Sequence, residues 1–330
     1  MTISPIINQA DPIDRLVKVT KATGDPLRAR ILQALAEDAF GVLELCELFD
    51  MAQPAMSHHL KILLEAGLVT RRKEGTTVFY QRTVIAGESF ITTIYDELDD
   101  KPISTRLLEK LACIHDRRSQ KSRAFFSNNA DALAQQRELI CAPEVYHDTV
   151  LQIIKQSHPL RRGHALEVGP GNGALLKALE GHFDQVTGMD SSAAVLADTA
   201  MSLGAKTQVQ LVEMDFLKAP HSRRYDLIVA AMVVHHIPSP ARFFIQARKL
   251  LKRQGIIVLV ELCPHNQTWV QEACGDLWQG FSEEQINRWA DRADLEIKDQ
   301  HFLAQRNGFR VQVVSMSAPP NPQTFVEEKQ

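Results

Sequence analysis

The sequence predicts a multi-domain chain. A small α+β module of short helices closed by a β-hairpin comes first, followed by an α/β domain with a seven-stranded, mostly parallel sheet. Three observations carry this. The run ALEVGPGNGALL, residues 165–176, is a glycine-rich strand-to-helix turn near mid-chain, so a separate unit precedes it. From residue 163 onward, strand and helix patterns alternate. Over the first 85 residues, helix signals are followed by two β-rich runs at hairpin spacing. At 330 residues and 45% hydrophobic content, each part has enough apolar mass for its own core.

Composition excludes several classes. The net charge of −3 predicts no partner by itself, so any nucleic-acid contact must come from a local patch. Five scattered cysteines (Cys46, Cys113, Cys141, Cys263, Cys274) form no CxxC pair, which argues against a disulfide framework or zinc knuckle and for a reducing compartment. The N-terminal MTISPIINQADPIDRL has no apolar core of signal length, and no segment is long and apolar enough for a membrane helix. A cytoplasmic chain with no membrane contact is expected.

In the first module, residues 1–85, Asp25-Pro26 supplies an N-cap and a first-turn proline opening LRARILQALAE. A second short helix is VLELCELF. A third opens near Gln53-Pro54, runs AMSHHLKILLEAG, and is closed by Gly67. LVTRRK and TVFYQRT, separated by Glu74-Gly75-Thr76, read as a hairpin. This is a helix-turn-helix followed by a wing. Gln53, Ser57, His58 and Lys61 share the outward face of the third helix, whereas Leu60, Leu63, Leu64 and Leu68 face the core. Polar side chains so placed suit base edges and phosphates of a major groove, and Arg71, Arg72, Lys73 and Arg82 on the hairpin suit backbone phosphate or the minor groove.

Residues 86–160 are helical in pattern, with the basic stretch KLACIHDRRSQKSR and the pair Phe125-Phe126, and are expected to be a dimerisation and connector segment. The domain at 161–317 offers seven strands: HALEV, QVTGMD, VQLVEM, YDLIVAA, IIVLVEL, LEIKDQHF and FRVQVVSMS. Helical patterns separate the first five, which implies right-handed crossovers and parallel pairing. LAQRNG joins the last two at hairpin length, so the sheet is expected to end with one antiparallel strand. The polar, proline-rich tail at 318–330 is expected to be disordered.

Gly169, Gly171 and Gly173 let the backbone pass close to a ligand and aim the following helix N-terminus at it. Gly169-x-Gly171-x-x-Ala174 would also satisfy a dinucleotide fingerprint. Three acids separate the readings. Glu167, just before the loop, would repel a pyrophosphate but accept a hydrogen bond from an amino-bearing ligand end. Asp190 ends the second strand, where it can take both ribose hydroxyls. Asp215, followed by Phe216, ends the third and suits an exocyclic adenine amine and a flat ring. Amino acid, ribose and adenine in that order describe S-adenosylmethionine or S-adenosylhomocysteine.

The motifs DPLRARILQAL, QPAMSHHLKILLEAGLV and RRKEGTTVFY resemble ArsR-type winged helix-turn-helix repressors over about 70 residues. That resemblance implies a homodimer that binds double-stranded operator DNA and releases it on binding an effector. Metalloid sensors of the family carry two thiols at alternate positions in the second helix, but here Glu44 replaces one and Cys46 stands alone. His58 and His59 are adjacent and point apart, so no metal is expected.

LEVGPGNGALL, VTGMDSS, VEMDFLKAP, YDLIVAAMVVHHIPSP and ARKLLKRQGIIVLVE resemble class I S-adenosylmethionine-dependent methyltransferases, with their Rossmann-like fold, over residues 125–316. By position this implies cofactor contacts from Glu167, Gly169, Gly171, Asp190, Ser191, Asp215 and Phe216, with Ala231 and Met232 lining the pocket. His235 and His236 are weak catalytic candidates near the expected methyl site, and Glu261 and His265 are expected at the same mouth. The arsenite-methyltransferase type of cysteine cluster is absent from the sequence, and no acceptor class is named.

The fusion resembles S-adenosylhomocysteine-responsive regulators of methionine metabolism. It implies a homodimeric regulator with an adenosyl ligand as effector and the connector as transmission element. The alternatives are an active methyltransferase that uses the winged domain for dimerisation or to regulate its own operon, and a winged module serving protein interaction.

Overall fold

The computed structural model describes residues 11–74, 77–83, 89–128, 139–157, 163–222, 224–267 and 269–319. The expected boundaries near residues 85 and 160, the hairpin turn at Gly75-Thr76 and the tail from residue 320 fall outside them. Two compact units emerge, Met1–Ile114 and His115–Gln330.

In the first unit, Asp-Pro opens two helices in succession. Asp11 accepts the Ile13 N–H at 2.9 Å to start α1 (Pro12–Thr23), and Asp25 accepts those of Leu27 and Arg28, both at 2.9 Å, to start α2 (Pro26–Ala34). The bond from the Arg28 N–H holds the Asp25 carboxyl below its ordinary value. α1 was not among the expected helices, although Asp11-Pro12 repeats the signature of Asp25-Pro26. β1 (Phe40–Gly41), α3 (Val42–Phe49), α4 (Gln53–Glu65), β2 (Val69–Glu74), β3 (Thr77–Arg82) and α5 (Ser89–Asp99) follow.

Among the described residues β1 adds a third strand to the hairpin, in the order β1-β3-β2. It is too short for any periodic signal, but Phe40 opposite Tyr80 is fully buried. α4 ends as expected. Gly67 is left-handed at φ +71°, its N–H reaches the Leu64 carbonyl and that of Leu68 reaches Leu63, both at 3.0 Å. Ile31, Leu32, Leu45, Met56, Leu60, Leu63 and Leu68 form the core.

α6 (Thr105–Asn128) runs through the division between Ile114 and His115. In the second unit come α7 (Glu144–Ser157), β4 (His164–Val168), α8 (Ala174–Glu180), β5 (Gln185–Asp190), α9 (Ala193–Leu203), β6 (Gln210–Glu213) and β7 (Tyr225–Ala231). After them stand α10 (Pro240–Leu250), β8 (Leu251–Leu262), α11 (Trp269–Cys274), α12 (Glu283–Arg292), β9 (Glu296–Ala304) and β10 (Arg310–Ser317). Short 3₁₀ turns occupy Phe216–Lys218 and Val234–His236.

The seven strands are those read from the sequence, in the order β6-β5-β4-β7-β8-β10-β9. Pairing is parallel from β6 to β8. The antiparallel strand does not end the sheet: β10 lies between β8 and β9 and runs antiparallel to both. Burial explains this placement. Val311, Val313, Val314 and Met316 of β10 are fully buried and need cover from both neighbours, whereas β9 tolerates the edge with Phe302 exposed.

Candidate functional site

In an open α/β sheet, ligands settle beyond the carboxyl ends of the strands where the strand order reverses, here between β4 and β7. A cavity of about 290 Å³ opens at this point. Its wall includes Glu167 near the end of β4, Gly169 and Gly171 after it, Asp190 at the end of β5 and Ser191 just beyond. Asp215 and Phe216 follow β6, Ala231 ends β7, and Met232, His235 and His236 follow it.

The loop that begins the site is built around glycine. Gly169 has φ +67°, and a Cβ there would lie 2.4 Å from Val233 Cγ2. Gly171, at φ +52°, offers its carbonyl to the Thr199 hydroxyl at 2.6 Å. Gly173 differs from the expectation. It is the left-handed N-cap of α8, facing Thr199 and Leu203, and it is not among the residues lining the cavity.

The three acids sit in three distinct settings. Glu167 is buried, and among the described residues its Oε2 has no hydrogen-bond partner. Burial pushes its carboxyl well above the ordinary value, against a weaker opposing bond from the Leu176 N–H. Asp190 accepts the Ser192 N–H at 2.8 Å, which fixes one carboxylate oxygen. Asp215 accepts the Leu217 N–H at 3.0 Å and caps the 3₁₀ turn that carries Phe216. Phe216 is itself buried against Phe243, with ring centroids 5.0 Å apart. Met232 is a non-glycine residue at φ +54°, backbone strain of the kind that concentrates at ligand sites.

Two expectations for the mouth are corrected. Glu261 is fully buried and does not line the cavity. Its carboxylate accepts the N–H groups of Val234 (2.7 Å), His235 (3.1 Å) and Leu262 (3.1 Å), and pairs with His235 Nδ1 at 2.7 Å. It is an anchor for the turn that carries both histidines. His265 also lies outside the lining, its ring against Phe309 with centroids 4.9 Å apart.

Sequence reasoning missed the far wall. Ser119, Ser122, Arg123 and Phe126 of α6, Tyr146 and His147 of α7, and Asp276 all line the cavity. The pair Phe125-Phe126 of the expected connector packs here. Phe126 lies edge-on to His236 with centroids 4.8 Å apart, and Phe125 covers the left-handed Gly275. The aromatic pair was a visible signal, but nothing in the sequence marks Asp276.

In the first unit, α3 and α4 meet at Asp50, a left-handed C-cap at φ +52°. Its carboxylate pairs with Arg106 and, at 2.6 Å, with Lys110. The bond from Lys110 is the main cause that lowers its pKa. Gln53, Ser57, His58 and Lys61 are all exposed on α4, as the helical spacing requires. Lys61 makes one long ion pair to Glu65 at 3.8 Å. Arg71 and Lys73 are exposed on β2, while Arg72, one residue out of phase, is half-buried on the other face.

Arg82 is removed from the set. It is buried, its Nε donates to the Leu32 carbonyl at 2.6 Å, its guanidinium binds Asp99 through bonds of 2.8 and 3.1 Å, and it lies over the Tyr95 ring. It ties the end of the hairpin to α2 and α5. Cys46 is half-buried, and burial raises its thiol pKa.

Among the described residues no helix is long and apolar enough to cross a membrane. Compared with known proteins, residues 133–300 match the family model described as a methyltransferase domain, and residues 23–72 the one described as a helix-turn-helix domain. An uncharacterized HTH-type transcriptional regulator of Methanocaldococcus jannaschii is 46% identical over 70 residues, 20% of this chain and 76% of that protein. The arsenical resistance operon repressor of Bacillus subtilis is 33% identical over 95 residues, 28% of this chain and 75% of its own. A ubiquinone biosynthesis O-methyltransferase of Coxiella burnetii is 25% identical over 179 residues, 48% of this chain and 76% of its own.

Proposed function

We propose, for a chain that belongs to the methyltransferase-domain family through residues 133–300 and carries a helix-turn-helix domain ahead of it, a role as a DNA-binding transcriptional regulator. Its C-terminal unit binds S-adenosylmethionine or S-adenosylhomocysteine as effector. One observation carries this reading: the buried, unpartnered Glu167 Oε2 in the cavity wall. A carboxylate oxygen left without a donor costs about 1–3 kcal/mol, and an ammonium group of an incoming ligand removes that cost. Asp190 and Ser191 then receive the ribose, and Asp215, Phe216 and Ala231 the adenine, with Gly169 and Gly171 giving way to the ligand backbone.

In the first unit, Gln53, Ser57, His58 and Lys61 read operator DNA in a major groove, and Arg71, Arg72 and Lys73 meet its phosphates. The active species is a cytoplasmic homodimer. Its support is the exposed apolar stripe Ile13, Leu16 and Val17 on α1, at the spacing of a single helix face. Binding the effector shifts the dimer between two DNA affinities, and a coupling of about 1–3 kcal/mol changes operator affinity roughly 5–150-fold.

Asp190→Ala tests the reading. The variant is expected to lose calorimetric binding of both adenosyl ligands by about 100-fold or more. In gel-shift titrations it should retain ligand-free DNA binding and lose the ligand response. A response to ligand equal to that of the unchanged chain would sink the effector model.

A second reading, an active methyltransferase, is favoured by the cavity wall that continues past the three acids to Ser119, Arg123 and His236. There His235 and His236 would stand as candidate catalytic groups. Transfer of label from S-adenosylmethionine to a lysate component separates the two, because a pure sensor binds without turnover.

A further inference from the structure

We propose that His235, His236 and Asp276 form a binding site for one divalent transition metal ion of the zinc class in the wall of the cavity. This departs from the expectation, drawn from the cysteines and from His58-His59, that the chain holds no metal. The site stands apart from the adenosyl reading and does not need it.

One ligand atom from each residue lies within 4.8 Å of the other two, and all three residues are buried in the cavity wall. Asp276 Oδ1 is 3.8 Å from His235 Nε2 and 3.7 Å from His236 Nδ1. With metal–ligand bonds of about 2.0–2.1 Å in a tetrahedron, ligand atoms stand roughly 3.3–3.4 Å apart. Asp276 needs to close on each histidine by a few tenths of an ångström, and the two imidazole nitrogens, which lie within 4.8 Å of each other, by up to about 1.4 Å.

The support behind the ligands is already in place. His235 Nδ1 is bound to Glu261 at 2.7 Å, which leaves Nε2 turned towards Asp276. A metal-bound imidazole is characteristically held in this way, its second nitrogen donating to a carboxylate that fixes ring orientation and tautomer. Glu261 is in turn fixed by three backbone N–H groups. The two imidazoles stand together, with centroids 4.1 Å apart. They come from adjacent residues of a 3₁₀ turn, so neither needs a long loop to reach the other.

Two imidazole nitrogens and one carboxylate oxygen are the donor set of catalytic rather than structural zinc, with a fourth position left open. The ligand class for that position is an anionic oxygen or a thiolate entering the cavity. Softer cluster metals, which demand several thiolates, do not fit this donor set.

The test uses the full chain, stripped with a chelator and dialysed, without adenosyl ligand. Zn²⁺ is titrated against a chromophoric chelator, and Co²⁺ is added separately as a spectroscopic probe. The expected result is one equivalent per chain, with a tetrahedral Co²⁺ absorption that Zn²⁺ abolishes. Asp276→Asn and His236→Gln should each weaken Zn²⁺ about 100-fold or more, and Glu261→Gln about 10–100-fold. Circular dichroism establishes that each variant is folded, and His236→Gln decides alone if Asp276→Asn is not. Failure of the unchanged chain to bind one equivalent below about 10 μM overturns the proposal, whatever the variants do. Unchanged affinity in a folded variant also overturns it, because the ion then sits elsewhere.

Discussion

The two adjacent histidine pairs of this chain, His58-His59 and His235-His236, show how differently its two units hold their chemistry. On α4 the rings diverge, with centroids 6.1 Å apart, and His58 is exposed. In the 3₁₀ turn after β7 the centroids are 4.1 Å apart, both residues are buried, and Glu261 fixes one ring. An α-helix sends neighbours about 100° apart, whereas the tight turn at the strand end is shaped by what lies beneath it. Adjacency in sequence therefore excludes shared chemistry on a helix and permits it in a turn. The same contrast extends to the whole of each site. The cavity side chains are positioned by buried partners, but the α4 face is positioned by its backbone, with an exposed 3.8 Å ion pair from Lys61 to Glu65.

The largest effect that would break this comparison is on stability. Glu261→Ala strands three buried backbone N–H groups, and is expected to lower the stability of the second unit by about 3–5 kcal/mol in urea unfolding. His58→Ala should stay within about 0.5 kcal/mol. Similar losses for the two would mean that the turn is not held from below.

A smaller effect sharpens the account of Glu167. Burial raises its carboxyl above the ordinary value of 4.5, so its contribution to stability is present below that value and lost as pH rises through the folded-state value. An ammonium-bearing ligand favours the ionised form, so adenosyl binding should release a proton and strengthen with rising pH. Glu167→Gln should bind more weakly and show a flat profile. Calorimetry in buffers of different ionisation enthalpy measures the proton, and an unaltered profile in the variant would remove Glu167 from that role.

The smallest effect is on the exposed face. Lys61→Ala should leave the unfolding curve unchanged while lowering the slope of log affinity against log salt by about one unit. A slope that does not move would take Lys61 off the phosphate backbone.

Much of this was legible in the sequence, and what was not has particular causes. The strands of the large sheet other than β9 are marked by apolar residues, β9 by its hairpin spacing to β10, and α4 by its Pro54 start and Gly67 stop, because these signals are local. The position of β10 inside the sheet was hidden, since hairpin length tells which strands pair but not which one stands at the edge. The burial of Arg82 was hidden because a cation on a hairpin reads as a surface charge until Asp99 and the Leu32 carbonyl are brought to it. Within the site, Glu167, Asp190 and Asp215 were visible because each stands at or beside the carboxyl end of a strand. Asp276 and Ser119 reach the cavity from outside the strand ends, and no spacing rule connects them to it. α1 was legible and overlooked: Asp11-Pro12 is the same signature as Asp25-Pro26.

The place of β10 also sets an order of events at the ribosome. β9 is made first, yet among the described strands it is joined to the sheet through β10, which emerges after it. Until residues 310–317 leave the exit tunnel, β8 is an open edge and β9 has nothing to dock against. The nascent sheet is thus five strands wide and cannot acquire its sixth and seventh separately. Truncation before Arg310 should cost two strands rather than one, leaving the fully buried edge of β8 open to other chains.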